Sequence, residues 1–356
     1  MIASKSGNGE VRTNLMSRIS AGLLALAVTL ISGCASHIVG SPTTTPTPTT
    51  GGKLYVSTPT SILRFGSALT ATGNVAPEAT ISGSATLLSS PRRILIDTGT
   101  NRLFVANGGG ASILIFSNAS TTSGNIAPAA VLTSTSNIVS PVDVAIDSTN
   151  NLLYVADGKN VLVFTGQSAF SGNVSTPPVR IVNFTFTVGP IFLDAANNTL
   201  FVADATDNAV VIVPGASTAN GPGAIFGSIA GTGTQLNVPN GIVRDSGGRV
   251  IVSNAGSPAS ITIYPATGVS QGGGIVPPAA VISGSTTKLT VPGQMALNGN
   301  TGDLYVADTQ APGVLIFQNI TSLSTTTNLA PGRTIIGSGT NLNANSVDGL
   351  ALDTTR

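Results

Sequence analysis

The sequence predicts an all-β fold, a six-bladed β-propeller of four-stranded antiparallel blades. Short β-branched and aromatic runs recur at a period near fifty residues, four runs to a period. Gly, Asn and Pro separate runs of four or five residues, which suits hairpin strands and not helices. The chain also enters the repeat region on a second-strand phrase and leaves it on a first-strand phrase. Four-stranded units repeated around an axis are propeller blades.

The first strand of each unit ends in an acidic residue or its amide. It reads ILID (to Asp97), VAID (Asp147), IFLD (Asp194), IVRD (Asp245), MALN (Asn298) and LALD (Asp353), at intervals of 50, 47, 51, 53 and 55 residues. The second strand follows about ten residues after each marker in the first five of these units, as LFVAN (to Asn107), LYVAD (Asp157), LFVAD (Asp204), VIVSN (Asn254) and LYVAD (Asp308). The third reads ILIF, VLVF, VVIV, ITIY and VLIF. A loop with Gly-Asn and Pro, such as SGNIAP at 123–128, leads to a fourth run such as AAVL at 129–132.

At the ends, KLYVS (53–57), ILRF (62–65) and ATISG (79–83) supply strands two to four, and GLALD (349–353) supplies the missing strand one. The composite blade closes the ring without a long open edge.

Asp97, Asp147, Asp194, Asp245, Asn298 and Asp353 form a ring where strand one turns into strand two. Such side chains bond a turn's own amides, so a structural role is expected for all of them. The same holds for Asn107, Asp157, Asp204, Asn254 and Asp308 after strand two. Tyr55, Phe104, Tyr154, Phe201 and Tyr305 share one repeat position, and Phe65, Phe116, Phe164, Tyr264 and Phe317 another, which reads as packing between blades.

The N-terminal region carries an address. A basic start with Arg12 and Arg18 precedes the apolar run Ala21 to Ile31, too short to span a bilayer that needs about twenty residues. It has the form of a signal-peptide core. The run ends in Ile31-Ser32-Gly33-Cys34, which resembles the bacterial lipobox, so residues 1–33 are expected to be a lipoprotein signal peptide, starting at Met1 or Met16. Cys34 is the lone cysteine, which excludes an intramolecular disulfide. Residues 34–52, with SPTTTPTPTTGG, read as a lipidated cysteine and an extended tether. Residues 53–356 are the propeller. The resemblance implies export and lipid anchoring to the bacterial cell envelope through Cys34. Ala35 and Ser36 after it favour an outer membrane where the cell has one.

Charged residues are only 8% of the chain and the net charge is +1, so a nucleic-acid partner, which needs clustered Lys and Arg, is not expected.

The pattern P-x-x-V-A-I-D, N-x-L-Y-V-A-D, N-x-V-L-V-F resembles the NHL-repeat family and its bacterial lipoprotein relatives. The resemblance covers nearly all of 53–356 and implies the propeller, while one fold hosts many functions. Amidating lyases similar to NHL proteins hold zinc through histidine. Here the sole histidine, His37, lies in the tether, which also removes Ser-His-Asp and Cys-His chemistry. Gluconolactonase-like propellers use a glutamate at a central metal. The only glutamate of the propeller is Glu78, at the start of an outer strand. No catalytic residue, metal or cofactor is therefore expected.

A binding site should break the repeat symmetry, and the positions just before strand one do so. Arg92, Arg93, Asp143, Asn240, Gln294 and Asp348 are the candidate ligand face, with Asp348, Arg92/Arg93 and Asp143 on neighbouring blades at the channel mouth. The reading is a membrane-anchored, non-catalytic binding scaffold for an unknown protein or small polar ligand. A lactonase- or lyase-type propeller enzyme and a structural cell-surface protein without a specific ligand are the alternatives.

Overall fold

Strand one of five blades starts at or directly after a proline, Pro91, Pro141, Pro190, Pro239 or Pro292. Proline has no N–H to give a ladder, and the first residue of a strand is where that loss is harmless. In four blades a bulge follows at once, at Pro91/Ile94, Pro141/Asp143, Pro239/Gly241 and Pro292/Met295. Bulges re-aim side chains, and these sit at one end of the central channel.

The computed structural model describes residues 51–222, 227–270, 273–343 and 347–356. The predicted signal peptide, Cys34 and all of the tether but Gly51 and Gly52 lie outside the described residues.

Six sheets form an all-β propeller. Blade one consists of Leu350–Asp353 innermost, then Lys53–Thr58, Ser61–Gly66 and Ala79–Ser82. Blades two and three run outward from Pro91–Asp97 and Pro141–Asp147, blade four from Ile191–Asp194, and blades five and six from Pro239–Arg244 and Pro292–Leu297. Closure of the ring is an antiparallel pairing, Lys53↔Asp353 to Val56↔Leu350.

Second strands carry a continuous apolar run because both faces are covered by neighbouring blades; Arg102–Asn107 and Leu152–Asp157 are buried at every residue, their polar ends included. Fourth strands alternate, as in Ala79–Ser82 and Ala130–Thr133, because one face meets solvent. The core is accordingly six wedges, one between each pair of blades. Phe104 and Ile115 of blade two, for example, pack on Leu153 and Phe164 of blade three. Each such aromatic contributes about 1.5–3 kcal/mol by burial.

The strand one-to-two turns need a left-handed residue. Asn101, Asn151 and Asn198 supply it at φ 55°, 55° and 50°, Gly248 and Gly302 at 85° and 73°. Asparagine tolerates this region better than other side chains. It also does a second job here, since Oδ1 of Asn101, Asn151 and Asn198 accepts from the amides of Ser120, Ser168 and Ser217 after strand three.

The Gly-Asn loops before strand four do more than connect. Each reaches the outer strand of the preceding blade and pairs with it in parallel. Gly172–Ser175 lies along Ala130–Thr133, and Gly273–Gly274 along Gly227–Ile229, so blades two and four have five strands. At the other four junctions the pairing is a single bridge, Ile81↔Gly124, Val182↔Gly221, Ile282↔Thr327 and Gly73↔Ile335. Four loop asparagines lock this seam: Asn74, Asn125, Asn220 and Asn328 accept from the amides of Gly339, Ala85, Ile181 and Thr286. The outer edges are thereby covered, which blunts edge-to-edge association.

Candidate functional site

The face where strand one begins is called the upper face, and the face carrying the strand one-to-two turns the lower face. The six first strands surround an axial channel of about 270 Å³. Its wall is apolar, with Leu95, Ile146, Phe192, Leu193, Leu297 and Leu352 among the lining side chains.

Sequence reasoning placed a single charged cluster at the channel mouth. The structure divides it into two layers. Arg93 and Asp143 are buried, at 4% and 3% exposure, whereas Arg92 and Asp348 are exposed. None of the six ion pairs joins these four side chains to one another. Arg93 instead crosses the ring, where its Nη2 donates to the carbonyl and the Oδ1 of Asn240 at 2.7 and 2.8 Å. Asn240 Nδ2 donates to the Pro292 carbonyl at 3.1 Å. Gln294 bridges three blades: its Nε2 donates to the Ile94 carbonyl at 2.9 Å, and its Oε1 accepts from the amides of Ile94 and Leu350 at 3.2 and 2.9 Å. These groups form a polar plug over the channel.

Asp143 accepts from the amides of Val144 (2.8 Å) and Ile191 (2.9 Å). Burial raises its pKa to about 6, against the lowering pull of Arg93 and the two amides, with Asp348 adding to the rise. Position by position, the residue four before the strand-one marker is Arg93, Asp143, Pro190, Gly241, Gln294 and Gly349. Of the two glycines, Gly349 makes room for the plug. A Cβ on Gly349 would stand 2.7 Å from the Arg92 carbonyl oxygen, the Arg93 Cα and Gln294 Oε1.

Above the plug lies an open recess of about 380 Å³ bordered by Arg92, Thr187, Thr206, Asn240 and Asp348. A groove of about 460 Å³ continues from Arg92 past Asn137 and Ser140 to Asn160.

The acidic ring of the lower face is occupied by its own turns. Oδ1 of Asp97, Asp147, Asp194, Asp245, Asn298 and Asp353 accepts from the amides of Gly99, Asn150, Asn197, Arg249, Asn300 and Thr355. On the upper face Asp157 accepts from Val139 and Ser140, and Asp308 from Thr290, Val291 and Ala311. Glu78 lies at the rim and is paired with Lys53 and Arg64. Among the described residues no three His, Cys, Asp or Glu side chains are grouped to share a metal ion.

Charge is distributed unevenly between the faces. The six ion pairs among the described residues, Lys53–Glu78, Arg244–Asp194, Arg249–Asp245 and Arg333–Asp303 included, lie on the lower half. Arg92, Lys159, Asp207, Lys288 and Asp348 are exposed, take part in none of these ion pairs, and all stand at the upper face.

Sequence reasoning missed an arginine at the junctions. Arg64 donates to the Ala119 and Thr122 carbonyls of blade two, and Arg102 to the Gln167, Ser168 and Phe170 carbonyls of blade three. Arg249 reaches Thr321 and Leu323 of blade six, and Arg333 reaches Ala68 and Ala71 of blade one. Arg102 and Arg249 share the position directly before the second-strand phrase, whereas Arg64 comes from a third strand and Arg333 from a fourth, so no single repeat position marks them all.

No family model matches the chain, and no curated protein matches it. Among solved structures it is similar to a chain of a nidogen/laminin complex, at 14% identity and a TM-score of 0.57, over 85% of this chain and 98% of that one. It is also similar to a functionally unknown protein from Desulfotomaculum acetoxidans DSM 771, at 13% identity and a TM-score of 0.53, over 83% and 84% of the two chains. At these identities the likeness establishes the six-bladed propeller and nothing finer.

Proposed function

We propose that this chain is a non-catalytic binding propeller of the bacterial cell envelope, anchored through a lipidated Cys34 and belonging with the NHL-repeat-like lipoproteins. The upper face is its interaction surface. One observation carries this reading: among the described residues the exposed charged side chains outside ion pairs all stand on the upper face, with Arg92 and Asp348 bordering the recess. Unpaired charges at an interface rim steer a partner and select it. The similar chain in a nidogen/laminin complex supports the idea that such a disc can work within a protein–protein assembly. The propeller segment contains no histidine and one glutamate, Glu78, already held by two cations, which supports a role without catalysis.

The test is capture of envelope proteins by the full chain, compared with an Arg92→Glu/Lys159→Glu variant and a lower-face control, Ser246→Glu. The expected result is a partner lost with the first variant and kept with the control. A partner that ignores the upper-face change, or no partner at all, overturns the reading. Anchoring is tested separately by acyl labelling, which Cys34→Ala should abolish.

A further inference from the structure

We propose that the axial channel is a binding site for a medium-chain monocarboxylate, its carboxylate on Arg93 and its alkyl chain among the first-strand side chains. Between its polar ends the channel is walled by apolar side chains, Leu95, Ile146, Phe192, Leu193, Leu297 and Leu352 among them. Its volume is about 270 Å³. A cavity of ~150 Å³ takes up benzene, so by proportion the channel has room for roughly ten heavy atoms. An eight-carbon carboxylate has that size.

The polar end is lined by Arg93, Asp143 and Gln294, of which Arg93 is the cation. Arg93 is 4% exposed, and Nη2 is committed to Asn240 while Nη1 is buried without a hydrogen-bond partner. Among the described residues no carboxylate stands within 4.0 Å of this guanidinium. A buried donor left unpaired is costly, and a planar fork matches a carboxylate. Arg93 lines both the channel and the recess above it, so the head group sits where the two meet. At the far end Arg244 is already paired with Asp194, which orients the ligand with its head toward Arg93.

The site is independent of the upper-face reading, because a channel substitution leaves Arg92 and the recess rim in place. The experiment is titration calorimetry on the full chain carrying Cys34→Ser, purified without detergent, with octanoate and 1-octanol as probes. Thermal unfolding is followed on each variant. Octanoate should bind once per chain, and octanol at least tenfold more weakly. Arg93→Met should weaken octanoate at least tenfold and leave octanol unchanged. Ala296→Phe, which fills the channel, should abolish both. Equal affinity for octanol and octanoate, unchanged octanoate binding in Arg93→Met, or no saturable binding overturns the proposal. If Arg93→Met does not fold, the probe ratio and Ala296→Phe decide it alone.

Discussion

Arg93 of blade two and Asn240 of blade five face each other across the ring and are joined by two hydrogen bonds, one to a main-chain and one to a side-chain oxygen. The apolar wedges, loop pairings and arginine clamps join neighbouring blades, and among the described residues this tie and the Gln294 bridge connect non-adjacent blades across the axis. Hydrogen bonds from a charged donor are worth about 1.5–3 kcal/mol each at most, and the tie is partly offset by the cost of burying the guanidinium. Arg93→Met is expected to lower stability by about 2 kcal/mol in urea unfolding. Combined with Asn240→Ala it should cost less than the sum of the two single changes, a coupling that a double-mutant cycle reads directly.

Asp143 makes stability depend on pH in a definite direction. Its carboxyl titrates at 3.8 when unperturbed and near 6 in the folded chain, chiefly because it is buried. Between those values the folded chain keeps a proton that the unfolded chain releases. Stability from this group is therefore greatest below pH 3.8, falls as pH rises toward 6, and is level above that. The fall is about 3 kcal/mol at most. Comparing the chain with Asp143→Asn from pH 4 to 7 isolates it: the difference in unfolding free energy should change in this window and be flat above it. A difference that does not vary with pH would remove the assignment.

Arg102→Met should loosen one junction and spare the others. Its guanidinium is the partner of three carbonyls of blade three and lies 5.4 Å from the Phe104 ring centroid. Methionine keeps the packing of the stem but leaves those carbonyls unmet, at a cost of about 2 kcal/mol. Hydrogen exchange should accelerate in residues 166–171, with blade five unchanged.

Gly349→Ala tests the close approach behind the plug. Two of the three atoms within 2.7 Å of an added Cβ belong to backbone, which cannot swing aside. A loss of about 2 kcal/mol or more is expected, with weakened ring closure beside Leu350–Asp353. An alanine variant as stable as the parent chain would show that this glycine is not required.

Much of this is legible in the sequence. The acidic marker, the left-handed Asn or Gly after it and the paired aromatics recur because each blade solves the same local problem, and a repeated local solution leaves a repeated phrase. The Gly-Asn loops were visible too, but not their reach onto the neighbouring blade, since pairing partners 40 residues apart, such as Ala85 and Asn125, carry no spacing rule. The arginine clamps were invisible for a related reason. Four junctions use three different repeat positions to place one guanidinium over the same kind of carbonyl.

The candidate face shows where sequence reading stops. Breaks in symmetry before strand one pointed to Arg92, Arg93, Asp143, Asn240, Gln294 and Asp348, and all of them do gather at the upper end. By itself the sequence determined the fold class, the blade count and the way the ring closes, because periodicity and turn chemistry are local. Only the tertiary structure decided that Arg92 faces water while Arg93 is buried against Asn240. Adjacent residues at a strand bulge diverge according to what lies across the channel, and that neighbour, 147 residues away, exists only once the ring has closed.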